Sequence, residues 1–200
     1  MGQVLIRFDR DLFIERLGIT GDDAQILMRE VFLSLEWSRM DRGSLTDEEG
    51  AEIMCRRVPS HLHDAVRKLT CMWDRPILPV PGMAELVREL RENGYHVYLL
   101  SNASFRQHEY WPRVPGSAYF EDTLISADTG LVKPQPEIFR AACEKFHIAP
   151  EESVFIDDST ANCEGAFYIG MQACVFHGDA DETRLWLIDH GVNLRRIAES

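Results

Sequence analysis

The sequence lacks a long apolar run, a surplus of basic residues and any C-x-x-C pair. No apolar stretch approaches the ~20 residues that span a bilayer. Residues 1–11 carry Asp and Arg too early for the apolar core of a secretory signal, so we expect a cytoplasmic protein. The cysteines are odd in number, which favours reduced thiols over a disulfide or zinc framework. They are Cys55, Cys71, Cys143, Cys163 and Cys174.

Acidic residues outnumber basic ones, with 33 Asp and Glu against 21 Lys and Arg and a formal net charge of −12. Nucleic-acid binding needs a basic face to meet the phosphate backbone, so this charge argues against a nucleic-acid partner. It also disfavours an anionic membrane surface. A small anionic substrate is compatible with it if hydrogen-bond donors and a cation reverse the field locally.

The first third of the chain, residues 11–74, has helical periodicity and no convincing strand. The sequence TDEE at 46–49 has the form of a capping box and predicts the start of a helix. A second helix is predicted to start at Asp22 or Asp23, with Ile26, Leu27, Val31 and Leu35 on one side. At 200 residues the chain is long enough for a full core plus one modest insertion, and a small helical bundle fits this segment.

From residue 79 onward, short apolar runs alternate with helical patterns. Strands are predicted at 96–100, 123–126, 153–157 and 173–176. Helices are predicted over 83–90, closed by Asn93-Gly94, and near 105–111, 136–146 and 162–169. This alternation predicts a parallel sheet covered by helices on both faces. Ligands bind beyond the carboxyl ends of the strands in such sheets, so polar residues there are the first candidates for a functional site.

Three strand ends are followed by such residues. Ser101 and Asn102 follow the first strand, Lys133 follows the second, and Asp157 and Asp158 end the third. A hydroxyl, a lysine and paired carboxylates together can bind a phosphoryl group and its metal ion. Singly, the first two have ordinary explanations, because Ser-Asn often caps a helix and a loop lysine is usually solvated. Adjacent carboxylates repel unless a cation intervenes, and the joint pattern favours a site.

The same segments carry a resemblance to a known family. LLSN at 99–102, VKPQPEIF at 132–139, and FIDD at 155–158 with Asn162 resemble motifs II, III and IV of the haloacid dehalogenase superfamily. MGQVLI at 1–6, with the following Phe8-Asp9, resembles what comes after motif I in one branch. That branch contains sugar-1-phosphate phosphatases and the phosphatase domain of epoxide hydrolases, and YWP at 110–112 is also similar to the sugar phosphatases.

The resemblance implies an α/β fold, a Rossmann-like parallel sheet core with an inserted helical cap. Residues 1–10 and 75–200 would form the core, and residues 11–74 the cap. Motif I in this family is a strand that ends in the nucleophilic aspartate. That aspartate would lie directly before Met1, and its strand would sit between the strands that end at Leu100 and Asp157. We therefore expect the chain as printed to be inactive.

The resemblance also implies site roles for a magnesium-dependent hydrolase of small phosphomonoesters, sugar phosphates above all, that acts through an aspartyl-phosphate. Ser101 and the Asn102 backbone would bind phosphoryl oxygens, and Lys133 would neutralise charge between the phosphate and the nucleophile. Mg²⁺ would be held by the nucleophilic aspartate, the Gly2 carbonyl and the Asp158 side chain, with Asp157 and Asn162 as outer or water-mediated ligands. Gly2 occupies the position where many relatives keep a general acid, so the proton donor is unassigned.

One segment offers a different nucleophile. Residues 4–11, VLIRFDRD, mimic an apolar strand that ends in a D-x-D pair, which would make Asp9 the nucleophile. Arg7 would then be charged inside a central strand, so we favour a flap that leads into the cap. Two other functions stay open: a 2-haloacid dehalogenase, and a non-catalytic interaction module. The sequence does not determine the exact substrate or the oligomeric state.

Overall fold

The computed structural model describes residues 1–194. Residues 10–71, called here the helical part, contain only helices and turns among the elements described. The helices are α1 (Arg10–Glu15), α2 (Gly21–Leu27), a π-helical turn (Met28–Phe32), α3 (Leu35–Asp41), α4 (Asp47–Cys55), a 3₁₀ turn (Ser60–Leu62) and α5 (His63–Cys71).

The helical part has an apolar core of its own. Leu27, Val31, Met54 and Val66 are fully buried there. The predicted capping box is confirmed, because Thr46 and Glu49 each accept a hydrogen bond from the other's backbone N–H. Leu35, predicted on the buried side of the second helix, is instead 69% exposed. The helical register breaks before it, since the Ser34 hydroxyl caps a new helix by accepting from Trp37 N.

Residues 79–194, called here the α/β part, alternate helices and strands as predicted. The helices are α6 (Met83–Glu92), α7 (Gln107–Tyr110), α8 (Ser126–Thr129), α9 (Pro136–Phe146), α10 (Thr160–Tyr168) and α11 (Ala180–Asp189). The strands are β1 (Tyr98–Ser101), β2 (Asp122–Ile125), β3 (Val154–Asp157) and β4 (Gln172–Val175). All strand pairing between named strands is parallel, which confirms the α/β fold class.

Several predicted boundaries were wrong by a few residues. β1 starts at Tyr98 rather than at residue 96, and β2 and β4 each lie one residue earlier than predicted. The helix predicted at 105–111 is only the short α7, followed by a 3₁₀ turn at Trp111–Arg113. Pro112 has no backbone N–H to donate, and its ring disfavours an α-helical interior.

The strands form two separate pairs, β1 with β2 and β3 with β4. Among residues 1–194 no strand joins β1 to β3. Between the two pairs lies a cavity of about 530 Å³, lined by apolar side chains from β1, from β3 and from the first residues of the chain. They include Leu99, Leu100, Phe155, Ile156, Met1, Val4 and Leu5.

The first nine residues do not enter the parallel sheet. Arg7 N donates to Leu78 O at 2.7 Å and Val80 N to Leu5 O at 2.9 Å, and Ile6 bridges antiparallel to Pro79. The segment therefore pairs with the connection into the α/β part and leads directly into α1. No helix within the described part of the chain has the length and apolarity needed to cross a bilayer.

Candidate active site

The carboxyl ends of β1 and β3 open onto a cavity of about 220 Å³. Every residue predicted for the phosphoryl and metal sites lines it: Gly2, Ser101, Asn102, Lys133, Asp157, Asp158 and Asn162. Parallel strands bring their carboxyl ends to one edge, so residues far apart in sequence meet here. Asp9, the alternative nucleophile, does not line this cavity. It is exposed and caps α1, with its carboxylate accepting from Leu12 N at 3.0 Å.

Lys133 and Asp157 form a buried ion pair, with Nζ 2.5 Å from Oδ2. Lys133 Nζ also donates to Leu100 O at the end of β1, at 3.3 Å. Burial alone would raise the pKa of Asp157, but the Lys133 ammonium and hydrogen bonds from Asn162 and Ser159 hold it below its usual value. Asp157 is therefore ionised at neutral pH.

The second oxygen of Asp157 is held by the start of α10. Asn162 Nδ2 donates to Oδ1 at 2.8 Å, and Ser159 N donates to it at 3.0 Å. Asn162 is placed for this by Ser159, whose hydroxyl accepts from Asn162 N and caps the helix. Both Asp157 oxygens thus have donors within the chain, and the side chain is fixed.

Asp158 differs from Asp157 in its burial and in its side-chain partners. Its side chain is exposed and, among residues 1–194, has no side-chain hydrogen-bond or ion-pair partner, only a hydrogen bond from its own backbone N–H. Partial desolvation and the adjacent Asp157 carboxylate raise its pKa. An unpartnered carboxylate beside a fixed one suits a hard cation, which would relieve the repulsion. Within the described residues, however, no three His, Cys, Asp or Glu side chains gather into a ready metal site.

Asn102 joins the end of β1 to the Lys133 loop. Its Nδ2 donates to Lys133 O at 3.0 Å, and Lys133 N donates to its Oδ1 at 2.8 Å. The side chain therefore positions the lysine loop rather than pointing freely into the cavity. Ser101 is buried at the strand end, and its hydroxyl has only a 3.4 Å contact with Asn102 O, which leaves it available to a ligand.

The amino group of Met1 is buried at the same site. Burial and the nearby Lys133 ammonium lower its pKa to about 5, although Asp157 and Asp158 act in the opposite direction. Gly2 lines the cavity and forms a parallel bridge with Ile6. The first two residues therefore lie between the strand ends, next to the ion pair.

Sequence reasoning missed the wall that the helical part contributes. Its members lie outside the three motifs: Arg10, Trp37, Met40, Asp41 and Asp47 in the helical part, joined by Phe8 and Trp73 from the segments on either side of it. Of these, only Phe8 was marked by the family resemblance, in the segment that resembles the residues after motif I. Asp47 accepts a hydrogen bond from the Ser104 hydroxyl at 2.8 Å, across the two parts of the chain. Tyr110, from the YWP segment, lines the same wall.

This arrangement can hold an anion between Ser101, Lys133 and a cation at Asp158. None of these side chains is placed as a covalent nucleophile. Ser101 has no base within hydrogen-bond reach among the described residues, and Asp157 is occupied by three donors.

A family model for haloacid dehalogenase-like hydrolases matches residues 29–170. A glyceraldehyde 3-phosphate phosphatase from Pyrococcus furiosus is 30% identical over 99 residues, 48% of this chain and 41% of its own. The chain thus matches less than half of that relative's length. An (S)-2-haloacid dehalogenase from Burkholderia cepacia is 25% identical over 190 residues, 90% of this chain and 81% of its own.

A haloacid dehalogenase family enzyme from Bacteroides thetaiotaomicron, solved with magnesium and inorganic phosphate, superposes with a TM-score of 0.70. It is 27% identical, and the match covers 93% of this chain and 96% of that one. The matched family model covers more than half of the sequence and includes all three motifs. The chain therefore belongs to the haloacid dehalogenase-like hydrolases.

Proposed function

We propose that this protein supplies the phosphate and metal site of a magnesium-dependent hydrolase for small phosphomonoesters, sugar phosphates in particular. The observation that carries the proposal is the contrast between Asp157, neutralised by Lys133, and Asp158, which has no side-chain partner among the described residues. The phosphatase relatives and the magnesium and phosphate complex of a structural neighbour support it. The cavity of about 220 Å³ suits a small metabolite.

In this proposal, different residues of the cavity bind the metal ion and the phosphoryl group. Asp158 and the Gly2 carbonyl would hold Mg²⁺, while Asp157 and Asn162 would reach it through water. Magnesium bound there supplies charge neutralisation for the phosphoryl oxygens. Ser101 donates a hydrogen bond to a phosphoryl oxygen, and Lys133 keeps a positive charge beside it.

The nucleophile in this proposal is an aspartate carboxylate directly before Met1, at the end of a strand between β1 and β3. Two features support it. The cavity of about 530 Å³ separates two strands whose facing edges have no strand partner in residues 1–194. The Met1 nitrogen lies buried beside Lys133 and Asp158, so a preceding carboxylate would fall next to the bound phosphate. The chain as printed would then lack turnover.

A trapping experiment tests this proposal. The codons upstream of Met1 are read in frame, and the chain is extended by the strand they encode. The extended chain is mixed with magnesium and a phosphomonoester and quenched in acid within one turnover. Mass spectrometry should find one phosphoryl group on the residue before Met1. A phosphoryl group on Asp9, or none on the protein during rapid turnover, would contradict the mechanism.

The relative that matches most of the chain favours a second function, 2-haloacid dehalogenation. That reaction shares the lysine and serine motifs and needs no metal, so the unpartnered Asp158 argues against it. Halide release from 2-chloropropionate, unaffected by a chelator, would establish the dehalogenase instead. A third reading, a non-catalytic module, requires that no aspartate be encoded before Met1.

A further inference from the structure

Asp41 is an acidic group of the cavity that no motif includes. It ends α3 in the helical part and lines the cavity that Ser101, Lys133 and Asp158 line from the α/β part. Its carboxyl group has no hydrogen-bond or ion-pair partner among residues 1–194. Desolvating a carboxyl group that has no hydrogen-bond partner costs free energy. A role at the neighbouring phosphate site would explain why Asp41 lies there.

The position of Asp41 is fixed by contacts between the two parts of the chain. The Ser126 hydroxyl donates to Asp41 O. The next residue, Arg42, donates from Nη1 to Gly130 O at 3.3 Å. Gly43 packs so closely that a Cβ atom there would lie 2.2 Å from Ala127 O. These contacts hold the backbone of the turn that carries Asp41 against the α/β part, at the cavity that Asp41 lines.

The surroundings of Asp41 favour its protonated form. Burial is the main cause, and the Asp47 carboxylate adds repulsion, while Arg10 on α1 opposes both. Together they raise the pKa of Asp41 to about 7. Tyr110 on α7 also faces it and stays neutral, since burial and Asp41 raise its pKa further. A group that titrates near neutral pH can both hold and release a proton there.

We propose that Asp41 is the proton donor to the leaving oxygen, an inference that rests on the proposed function. As the nucleophilic carboxylate forms its bond to phosphorus, the P–O bond to the substrate breaks and its electron pair stays on the leaving oxygen. The Asp41 O–H transfers its proton to that oxygen, which leaves as an alcohol. Asp41 becomes a carboxylate and takes a proton back from the water that hydrolyses the acyl phosphate.

Asp41 would take the general-acid role that Gly2, which has no side chain, cannot fill. A sugar hydroxyl is a poor leaving group unless it is protonated, whereas 4-nitrophenolate leaves without help. Positioned acids contribute about 10²–10⁴-fold to such steps. The dependence of the rate on the leaving group therefore separates proton donation from a structural role.

The test uses the extended chain with magnesium and two substrates, glycerol phosphate and 4-nitrophenyl phosphate. Asp41→Asn should lower kcat/KM for glycerol phosphate by ~10²-fold or more and for 4-nitrophenyl phosphate by only a few fold. It should also remove the alkaline limb of the kcat profile for glycerol phosphate. Asp22→Asn, an exposed site on α2, is the matched control and should change neither rate.

Asp47→Asn provides a second variant, because an amide oxygen can still accept from Ser104 while the repelling charge is lost. The alkaline limb should move to lower pH as the pKa of Asp41 falls. Equal losses on both substrates in Asp41→Asn, or no loss on either, would overturn the inference. If the extended unsubstituted chain hydrolyses neither substrate, the proposed function fails. In that case, a ¹³C titration of the Asp41 carboxyl group in the printed chain tests the inference separately. A midpoint near the ordinary value of about 4 would rule out Asp41 as a proton donor.

Discussion

Lys133 Nζ lies 2.5 Å from Asp157 Oδ2, and both side chains are buried at the carboxyl end of the parallel strands. The pair fixes the ionised state of Asp157, because the ammonium and two further donors hold the pKa of Asp157 low despite burial. Asp158, one residue on, has no such ion pair among the described residues, and we propose that it is the carboxylate of the two that binds a cation.

Breaking this ion pair should cost far more stability than breaking an exposed one. Lys133→Met leaves Asp157 buried and unpaired, which we expect to lower the free energy of unfolding by about 3–5 kcal/mol. Lys145→Met removes the exposed contact with Asp122 and should cost at most about 1 kcal/mol. Urea unfolding at pH 7 measures both. Equal, small losses would mean that the buried pair is hydrated rather than desolvated.

Asp41 should make the fold less stable as the pH rises. Its pKa is raised from the usual range to about 7 in the folded state, so the folded protein binds more protons than the unfolded chain between pH ~4 and 7. Stability from this group is complete below pH ~4 and is lost as the pH approaches 7. The free energy of unfolding of Asp41→Asn, relative to the unsubstituted protein, should therefore increase over this range. A constant difference would show that Asp41 titrates normally.

The turn that carries Asp41 should tolerate no side chain at Gly43. Gly43 and Gly18 both have φ +72°, but a Cβ atom at Gly43 meets the Ala127 backbone and one at Gly18 meets nothing within 4 Å. Gly18→Ala should cost about 1–2 kcal/mol from backbone strain alone. Gly43→Ala should cost more and should also displace the helical part from the α/β part. Chemical shifts of Ser126 and Ala127 report that displacement, and similar values for the two variants would argue against a close contact.

Magnesium affinity should depend on Asp158 more than on Asp157. Asp158→Asn removes an unpartnered carboxylate and should abolish magnesium binding without loss of stability. Asp157→Asn should weaken binding less but should leave Lys133 buried without its partner, so it should destabilise the fold. Isothermal titration calorimetry and thermal unfolding separate the two effects. Binding should be weak in the printed chain and stronger in the extended one; unchanged affinity after Asp158→Asn would remove it from the metal site.

The sequence predicted those features that depend on neighbouring residues. Helix α9 was predicted with both ends correct, because Pro136 starts it and the apolar spacing continues to Phe146. The residues assigned to the phosphate and metal sites by resemblance line one cavity, and their roles stay predictions. Ser101, Asn102, Asp157 and Asp158 meet there because they lie at strand ends, and parallel strands bring their carboxyl ends to one edge. Strand ends were predicted less accurately. The apolar run begins at residue 96, but β1 starts at Tyr98, where pairing with Asp122 begins.

The rest depends on contacts that local patterns do not encode. Asp41 and Asp47 reach the cavity because the turn between α3 and α4 packs against Ser104, Ser126 and Ala127. The exposure of Leu35 follows from the Ser34 cap, which restarts the helix in a new register. The assignment of residues 11–74 as a separate cap, and the individual catalytic roles, stay predictions.

The most direct test of the central claim is magnesium-dependent phosphate release by matched proteins. The set contains the printed chain, the chain extended through the aspartate before Met1, the extended chain with that aspartate changed to Asn, and the extended chain with Asp9→Asn. We predict turnover of a small phosphomonoester by the extended chain and by its Asp9→Asn variant, none by the other two, and none in the presence of a chelator. Turnover by the printed chain, or turnover that survives loss of the upstream aspartate, would contradict the account.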